Sequence, residues 1–319
     1  MKILITGSTG FVGKHLLNTL IQNKHEITTL VRKPNYEVKK SIRQIVIKDL
    51  FEFLTSNNNK NKIQSIFENI EVIIHCAAKV HSFEKDSPRN KDEYFNTNTL
   101  STTLLAKIAV KNNIKKFIFM STVKVNGDYN DSNKPFRESD IAKPKGFYAE
   151  SKYKAEVELN SFRKYLSVIV IRSPIVYGSG VGANFKKLMF LIDKKIPMPF
   201  KLVNNIRSMI YLENLIDFIL ICISDDRANN ETFLIKDDEN YSLKKIISEI
   251  ANCMNKRVFM FSVPTLLLTI FFVIIGKRDL NDKLIKNLDI DTSKARRVLN
   301  WKPPFTMKEG LLKTIRNTI

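Results

Sequence analysis

Glycine is scarce in this 319-residue chain, with ten residues, and cysteine (three), histidine (four) and tryptophan (one) are scarcer still. Cys76, Cys222 and Cys253 are odd in number and far apart, with neither metal-ligand spacing nor a disulfide framework, so all three are expected to be reduced core residues. His15, His25, His75 and His81 are just as scattered, and no metal is implied. Acid is in deficit too: 32 carboxylates face 52 lysines and arginines, for a formal net charge of +20. Such a charge suits polyanions, yet the basic pairs Lys186-Lys187, Lys194-Lys195, Lys244-Lys245 and Arg296-Arg297 are spread along the chain without interleaved aromatics or a recognisable reader module. They read as a solvated basic surface, and no nucleic-acid partner is expected. No charged and apolar leader precedes the first strand-like run, Lys2–Thr6, so the expected address is cytoplasmic.

Long uncharged runs are also rare, with one exception. Residues 258–276 (VFMFSVPTLLLTIFFVIIG) hold 19 residues without a charge between Lys256-Arg257 and Lys277-Arg278, close to membrane-span length. Pro264 falls inside and leaves about 12 residues for a helix after it, too few to span a bilayer. A buried or interface helix is the expectation, with peripheral membrane contact through 258–276 as the alternative.

What is present is a regular alternation. Strand-like runs near residues 2–6, 26–31, 43–47, 72–76, 116–121 and 168–172 alternate with longer helical patterns, and 44% apolar residues are enough for a large core. Nearly continuous apolar strands such as VIIHCAA and KFIFMS indicate a sheet covered on both faces. The fold class is therefore α/β, a Rossmann doubly wound parallel sheet with a smaller C-terminal substrate-binding cap. Residues 1–173, with roughly 207–237, form the expected dinucleotide-binding domain; residues 174–206 and 238–319 form the expected cap.

Three of the ten glycines fall within the first 13 residues, in TGSTGFVG between the first strand and the first helix. Gly7, Gly10 and Gly13 stand where the chain must turn tightly, approach a diphosphate and pack helix on strand, with Thr9, Phe11 and Val12 completing the loop. Two residues separate the first pair, so the spacing departs from GxGxxG. The acid expected at the end of the second strand, which would hold the ribose hydroxyls of NAD, is absent from TTLVRKP. Arg32 stands there with Lys33 behind it, and a guanidinium pairs with a 2'-phosphate, so NADP(H) is favoured over NAD(H).

Tyr148 and Lys152, four residues apart in FYAESKYKAE, share one helical face. A free phenol has a pKa near 10, and an adjacent ammonium would lower it and make an acid/base of the tyrosine. Tyr36/Lys40 and Tyr241/Lys245 have the same spacing, but only Tyr148 follows a strand that ends in hydroxyls, Ser121 and Thr122. A parallel sheet holds its ligands at that edge.

Taken in order, the motifs resemble those of the extended short-chain dehydrogenase/reductases, in their nucleotide-sugar epimerase/dehydratase group. They are TGSTGFVG, KDL at 48–50, HCAA at 75–78, Asn98, MSTVKVNG at 120–127, Tyr148/Lys152, IRSPIVYGSG at 171–180, RSMIYLENL at 207–215 and WKPP at 301–304. The resemblance covers essentially the whole chain. It implies Thr122, Tyr148 and Lys152 as the catalytic set, Asp49 and Leu50 beside the adenine, and Ala77 and Ala78 beside the cofactor phosphates and ribose. It also implies that Thr122, Asn184 and Arg207 contact a UDP-sugar substrate, Asn184 and Arg207 at its diphosphate.

Sugar-nucleotide dehydratases in that group carry an Asp-Glu pair directly after the catalytic threonine, where this chain has Val123 and Lys124, so dehydration is not expected. Two chemistries remain open. One is reduction of a UDP-4-keto-6-deoxy-N-acetylhexosamine by NADPH, as in surface-polysaccharide sugar synthesis, and Arg32 favours it. The other is 4-epimerisation of UDP-glucose or UDP-N-acetylglucosamine. A non-catalytic, dinucleotide-sensing or membrane-docked interaction protein on the same fold is the reading from a different class. A homodimer is carried as the expected assembly.

Overall fold

The computed structural model describes residues 1–34, 42–80, 88–131 and 134–316. In chain order its strands are β1 (Lys2–Thr6), β2 (Glu26–Val31), β3 (Ile42–Val46), β4 (Val72–His75), β5 (Lys116–Thr122), β6 (Ser167–Ser173), β7 (Ile175–Tyr177), β8 (Met209–Tyr211) and β9 (Thr232–Leu234). The helices are α1 (Phe11–Gln22), α2 (Leu50–Thr55), α3 (Lys60–Phe67), α4 (Pro88–Phe95), α5 (Ser101–Lys111), α6 (Gly146–Asn160) and α7 (Ala183–Asp193), then α8 (Leu212–Ser224), α9 (Leu243–Cys253), α10 (Thr265–Ile274), α11 (Arg278–Leu284), α12 (Ser293–Leu299) and α13 (Met307–Arg316).

Seven strands make one sheet in the order β3-β2-β1-β4-β5-β6-β9, with the strand order reversing between β1 and β4, as a doubly wound fold requires. β1 pairs in parallel with β2 and β4, β2 with β3, and β4 with β5. Thr6 lies opposite both Leu30 and His75, and His75 opposite Phe119, so β1, β2 and β4 finish at nearly the same level and β5 runs on beyond them to Thr122. Every residue of β4 and β5 is buried, which explains why their sequences read as unbroken apolar runs rather than alternating ones.

The chain divides into two compact units. The first comprises residues 1–125, 142–172 and 218–233; the second comprises 126–141, 173–217 and 234–319. Segments 126–141 and 207–217, expected with the dinucleotide domain, thus belong to the second unit. The reason lies in backbone pairing. β7 and β8 form their own small parallel sheet, Arg207 N–H donates to Tyr241 O at 2.9 Å, and Phe136 N–H donates to Asp289 O at 2.9 Å. Such three-residue strands carry too little pattern to read from sequence.

Two further expectations meet the structure in part. Cys222 is a core residue, but Cys76 and Cys253 are half-buried; all three are free thiols. α10, expected as a buried or interface helix, begins directly after Pro264 and is not buried in the chain itself: Leu268 and Phe272 face inward and most of its other side chains are exposed. The eight residues of the four basic pairs are exposed, as a solvated surface requires.

Candidate active site

The turn after β1 is built from what its glycines omit. Gly7 has φ +72°, the left-handed region, and a Cβ there would sit 2.5 Å from Ala77 N; a Cβ on Gly13 would sit 2.1 Å from Gly7 O. α1 therefore starts tight against the strand ends. Its N-cap, Gly10, is extended and makes no side-chain cap hydrogen bond, and its first turn carries no acid. Helix-start N–H groups left uncapped, with a partial positive charge, are the donor set a diphosphate takes. The residues present thus fit a dinucleotide: Phe11 and Val12 lie in that first turn and Thr9 is exposed beside it.

The other cofactor candidates come from neighbouring strand ends in the same unit. Arg32 is exposed, one residue past β2. Asp49 caps α2, accepting from Glu52 N at 3.0 Å, and Leu50 is the first residue of that helix. Ala77 N–H donates to Thr6 Oγ1 at 3.3 Å, and Ala78 follows it, half-buried.

Thr122 ends β5, buried, and its hydroxyl acts on the phenol of Tyr148, in the first turn of α6, in the direction that lowers its pKa. Lys152 lies one turn further on and is fully buried. The three proposed catalytic residues are thus together at the carboxyl edge of the sheet. Their electrostatics differ from the expectation. Burial pushes the Tyr148 phenol up to about 12; the Thr122 hydroxyl acts against this and Tyr94 adds to it. The Lys152 ammonium does not acidify it here. Lys152 Nζ donates to Met120 O at 2.7 Å and lies 4.3 Å from the Phe119 ring centroid, and burial pushes it down to about 8.

Polar struts fix α6. Asn98 Nδ2 donates to Ser151 Oγ at 2.9 Å and to Lys79 O at 3.0 Å, and Thr99 Oγ1 donates to Ser151 O at 2.8 Å. Asn98 and Thr99 sit in a π-helical turn, Asn96–Leu100, and Ser151 Oγ donates in turn to Tyr148 O at 2.8 Å. A turn beyond Lys152, Glu156 accepts from Arg172 at 2.6 Å and from Ser121. His75 completes the edge, bridged by Thr6 at Nδ1 (2.5 Å) and Thr102 at Nε2 (2.9 Å), and burial pushes it down to about 3, so it is neutral. Of these, Asn98 and Ser121 stood out in the sequence and His75 and Arg172 lay within its motifs; Thr99, Ser151 and Glu156 carry no spacing signal.

In the second unit, Arg207 is buried between backbone bridges to Tyr241 and Leu288. Its Nη1 donates to Lys286 O at 3.3 Å, burial pushes it down to about 10, and among the described residues no carboxylate pairs with it. A desolvated guanidinium of this kind suits a diphosphate. Asn184 is the second residue of α7, and its side chain lies outside the described residues. Val123 is buried and Lys124 half-buried where a dehydratase would need its carboxylates. Tyr36/Lys40 lies outside the described residues. Tyr241 precedes α9 in a backbone bridge, with Lys245 Nζ stacked 4.3 Å from its ring centroid, a packing pair rather than an edge-of-sheet acid/base.

Comparison with known proteins gives the family. The NAD dependent epimerase/dehydratase family matches residues 3–235. A UDP-glucose 4-epimerase of Vibrio cholerae is 37% identical over 318 residues, covering 98% of this chain and 94% of that protein. A dTDP-4-dehydro-6-deoxyglucose reductase of Escherichia coli is 25% identical, covering 99% and 96%. The crystal structure of the UDP-glucose 4-epimerase of Thermotoga maritima with UDP-glucose shares the fold, with a TM-score of 0.77, 22% identity and 99% and 98% coverage. The chain belongs to the NAD dependent epimerase/dehydratase family.

Proposed function

We propose that this chain is a nucleotide-sugar 4-epimerase that inverts C4 of a UDP-hexose, UDP-glucose or UDP-N-acetylglucosamine, with NAD(H) retained throughout. The observation that carries it is the Thr122 and Tyr148 pair at the end of β5, on the same sheet edge as an uncapped helix start, in a chain 37% identical along 98% of its length to a UDP-glucose 4-epimerase. Bound NAD supplies a hydride acceptor that gives the hydride back. Tyr148 Oη takes the proton of the C4 hydroxyl and later returns it, while Thr122 Oγ1 orients the C4 oxygen. Arg207 holds the diphosphate. One C–H and one O–H bond are broken and remade, so neither cofactor nor water is consumed.

A second reading, a 4-ketoreductase consuming NADPH, is favoured by Arg32, exposed one residue past β2 where an acid would select NAD. A phenol held at about 12 also suits an acid that delivers its proton to a forming alkoxide. One experiment separates the two. The protein is given UDP-glucose and UDP-N-acetylglucosamine in turn, and separately NADPH with a UDP-4-keto-6-deoxy-N-acetylhexosamine, and the nucleotide sugars are resolved by chromatography. Interconversion without net cofactor use is the expected result; stoichiometric loss of NADPH without interconversion would overturn the epimerase.

A further inference from the structure

We propose that the outward face of α10 docks this protein on an anionic phospholipid bilayer. The helix has ten residues, about 15 Å at the usual rise, against a hydrocarbon core of about 30 Å, so it can lie on a membrane but not cross it. Among the described residues no helix is long and apolar enough to span. Its inward face anchors it to the second unit: Leu268 (5% exposed) and Phe272 (8%) pack with Val203, Phe200, Leu243 and Val263. The opposite face is apolar and open, with Leu267 55%, Phe271 54% and Ile274 78% exposed, and Leu266 and Ile270 exposed beside them. Soluble monomers seldom leave such a contiguous apolar face uncovered.

Charge selects the occupant. Arg257, Lys277 and Arg278 are exposed at the two ends of the uncharged stretch 258–276, with Lys256 paired to Asp193 at 3.2 Å and Asp279 the acid that follows. An apolar face with cations at its ends, on a chain of net charge +20, complements acidic headgroups over acyl chains. A second copy fits less well, because a two-fold interface on this face brings the same cations together. Docking of this kind is independent of the chemistry at Tyr148.

The test is flotation of the full chain with phosphatidylglycerol/phosphatidylethanolamine vesicles and with phosphatidylcholine vesicles. The chain is expected to float with the former and only weakly with the latter. The variant L267E/F271E/I274E, altered only at exposed positions, should lose at least tenfold in partitioning while its melting temperature and UDP-sugar turnover stay unchanged. The variant K277A/R278A should lose about 25-fold, at about fivefold per cation. Failure of the chain to float, or equal flotation of L267E/F271E/I274E, overturns the proposal. So does a dimer that this variant splits into monomers without any vesicle binding.

Discussion

The acid/base assignment is tested most sharply by Tyr148→Phe read across pH. With the side chains as they stand, the phenol titrates near 12, five units above neutrality, so forming the phenolate at pH 7 costs about 7 kcal/mol at ~1.4 kcal/mol per unit. An epimerase starts from an alcohol and needs that phenolate. Its kcat/KM should therefore rise about tenfold per pH unit from about pH 6 upward. The rise should continue into alkali, because the phenol itself titrates only at about 12. A ketoreductase starts from a ketone and needs the neutral phenol, so its kcat/KM should be flat through neutrality and fall in alkali. Initial rates of sugar interconversion, followed by chromatography, distinguish the two profiles. Tyr148→Phe should cost about 10²- to 10⁴-fold in rate and abolish the slope while dinucleotide binding persists. A variant within about tenfold of the parent, with its pH profile retained, would refute Tyr148 as the proton carrier.

Three further outcomes follow from the same geometry. Gly13→Ala puts a methyl 2.1 Å from Gly7 O, so the turn must open; NAD affinity measured by calorimetry should fall at least tenfold, by about 1.4 kcal/mol, and unchanged affinity would show that the turn does not hold the diphosphate. Arg172→Ala strands the buried Glu156 carboxylate and should cost about 3–5 kcal/mol in urea unfolding; a loss below about 1 kcal/mol would mean the pair is idle. His75 is neutral in the folded chain down to about pH 3, whereas in the unfolded chain it takes up its proton near 6.5. Stability should therefore fall by about 1.4 kcal/mol per unit as pH drops from about 6.5 toward 3, with no contribution above 6.5. His75→Gln should remove that slope from urea midpoints, and parallel curves for the two proteins would contradict it.

The sheet and its edge were readable because each rests on a local signal. β1, β4 and β5 are largely apolar runs bounded by turns, and the glycines at 7 and 13 mark a backbone approach that a side chain would block. The orientation of α6 was not readable in this way. Its sequence, GFYAESKYKAEVELN, has no single apolar stripe, and the side it buries is Ala149, Ser151, Lys152, Ala155 and Leu159. Small residues let that side come close to the sheet, but they do not say how the helix is rotated. Rotation is set instead by polar partners distant in sequence: Asn98 on Ser151, Arg172 and Ser121 on Glu156, and Met120 O on Lys152. A spacing of four could nominate Tyr148 and Lys152 as neighbours. It could not reveal that the lysine turns its charge to a strand carbonyl and leaves the phenol protonated. For the same reason the chemistry depends on whether dinucleotide and sugar draw that ammonium back toward the tyrosine. If Lys152→Met were to leave the epimerase pH profile unchanged, the ammonium would be a structural pin for α6, and the proton chemistry would belong to Tyr148 and Thr122 alone.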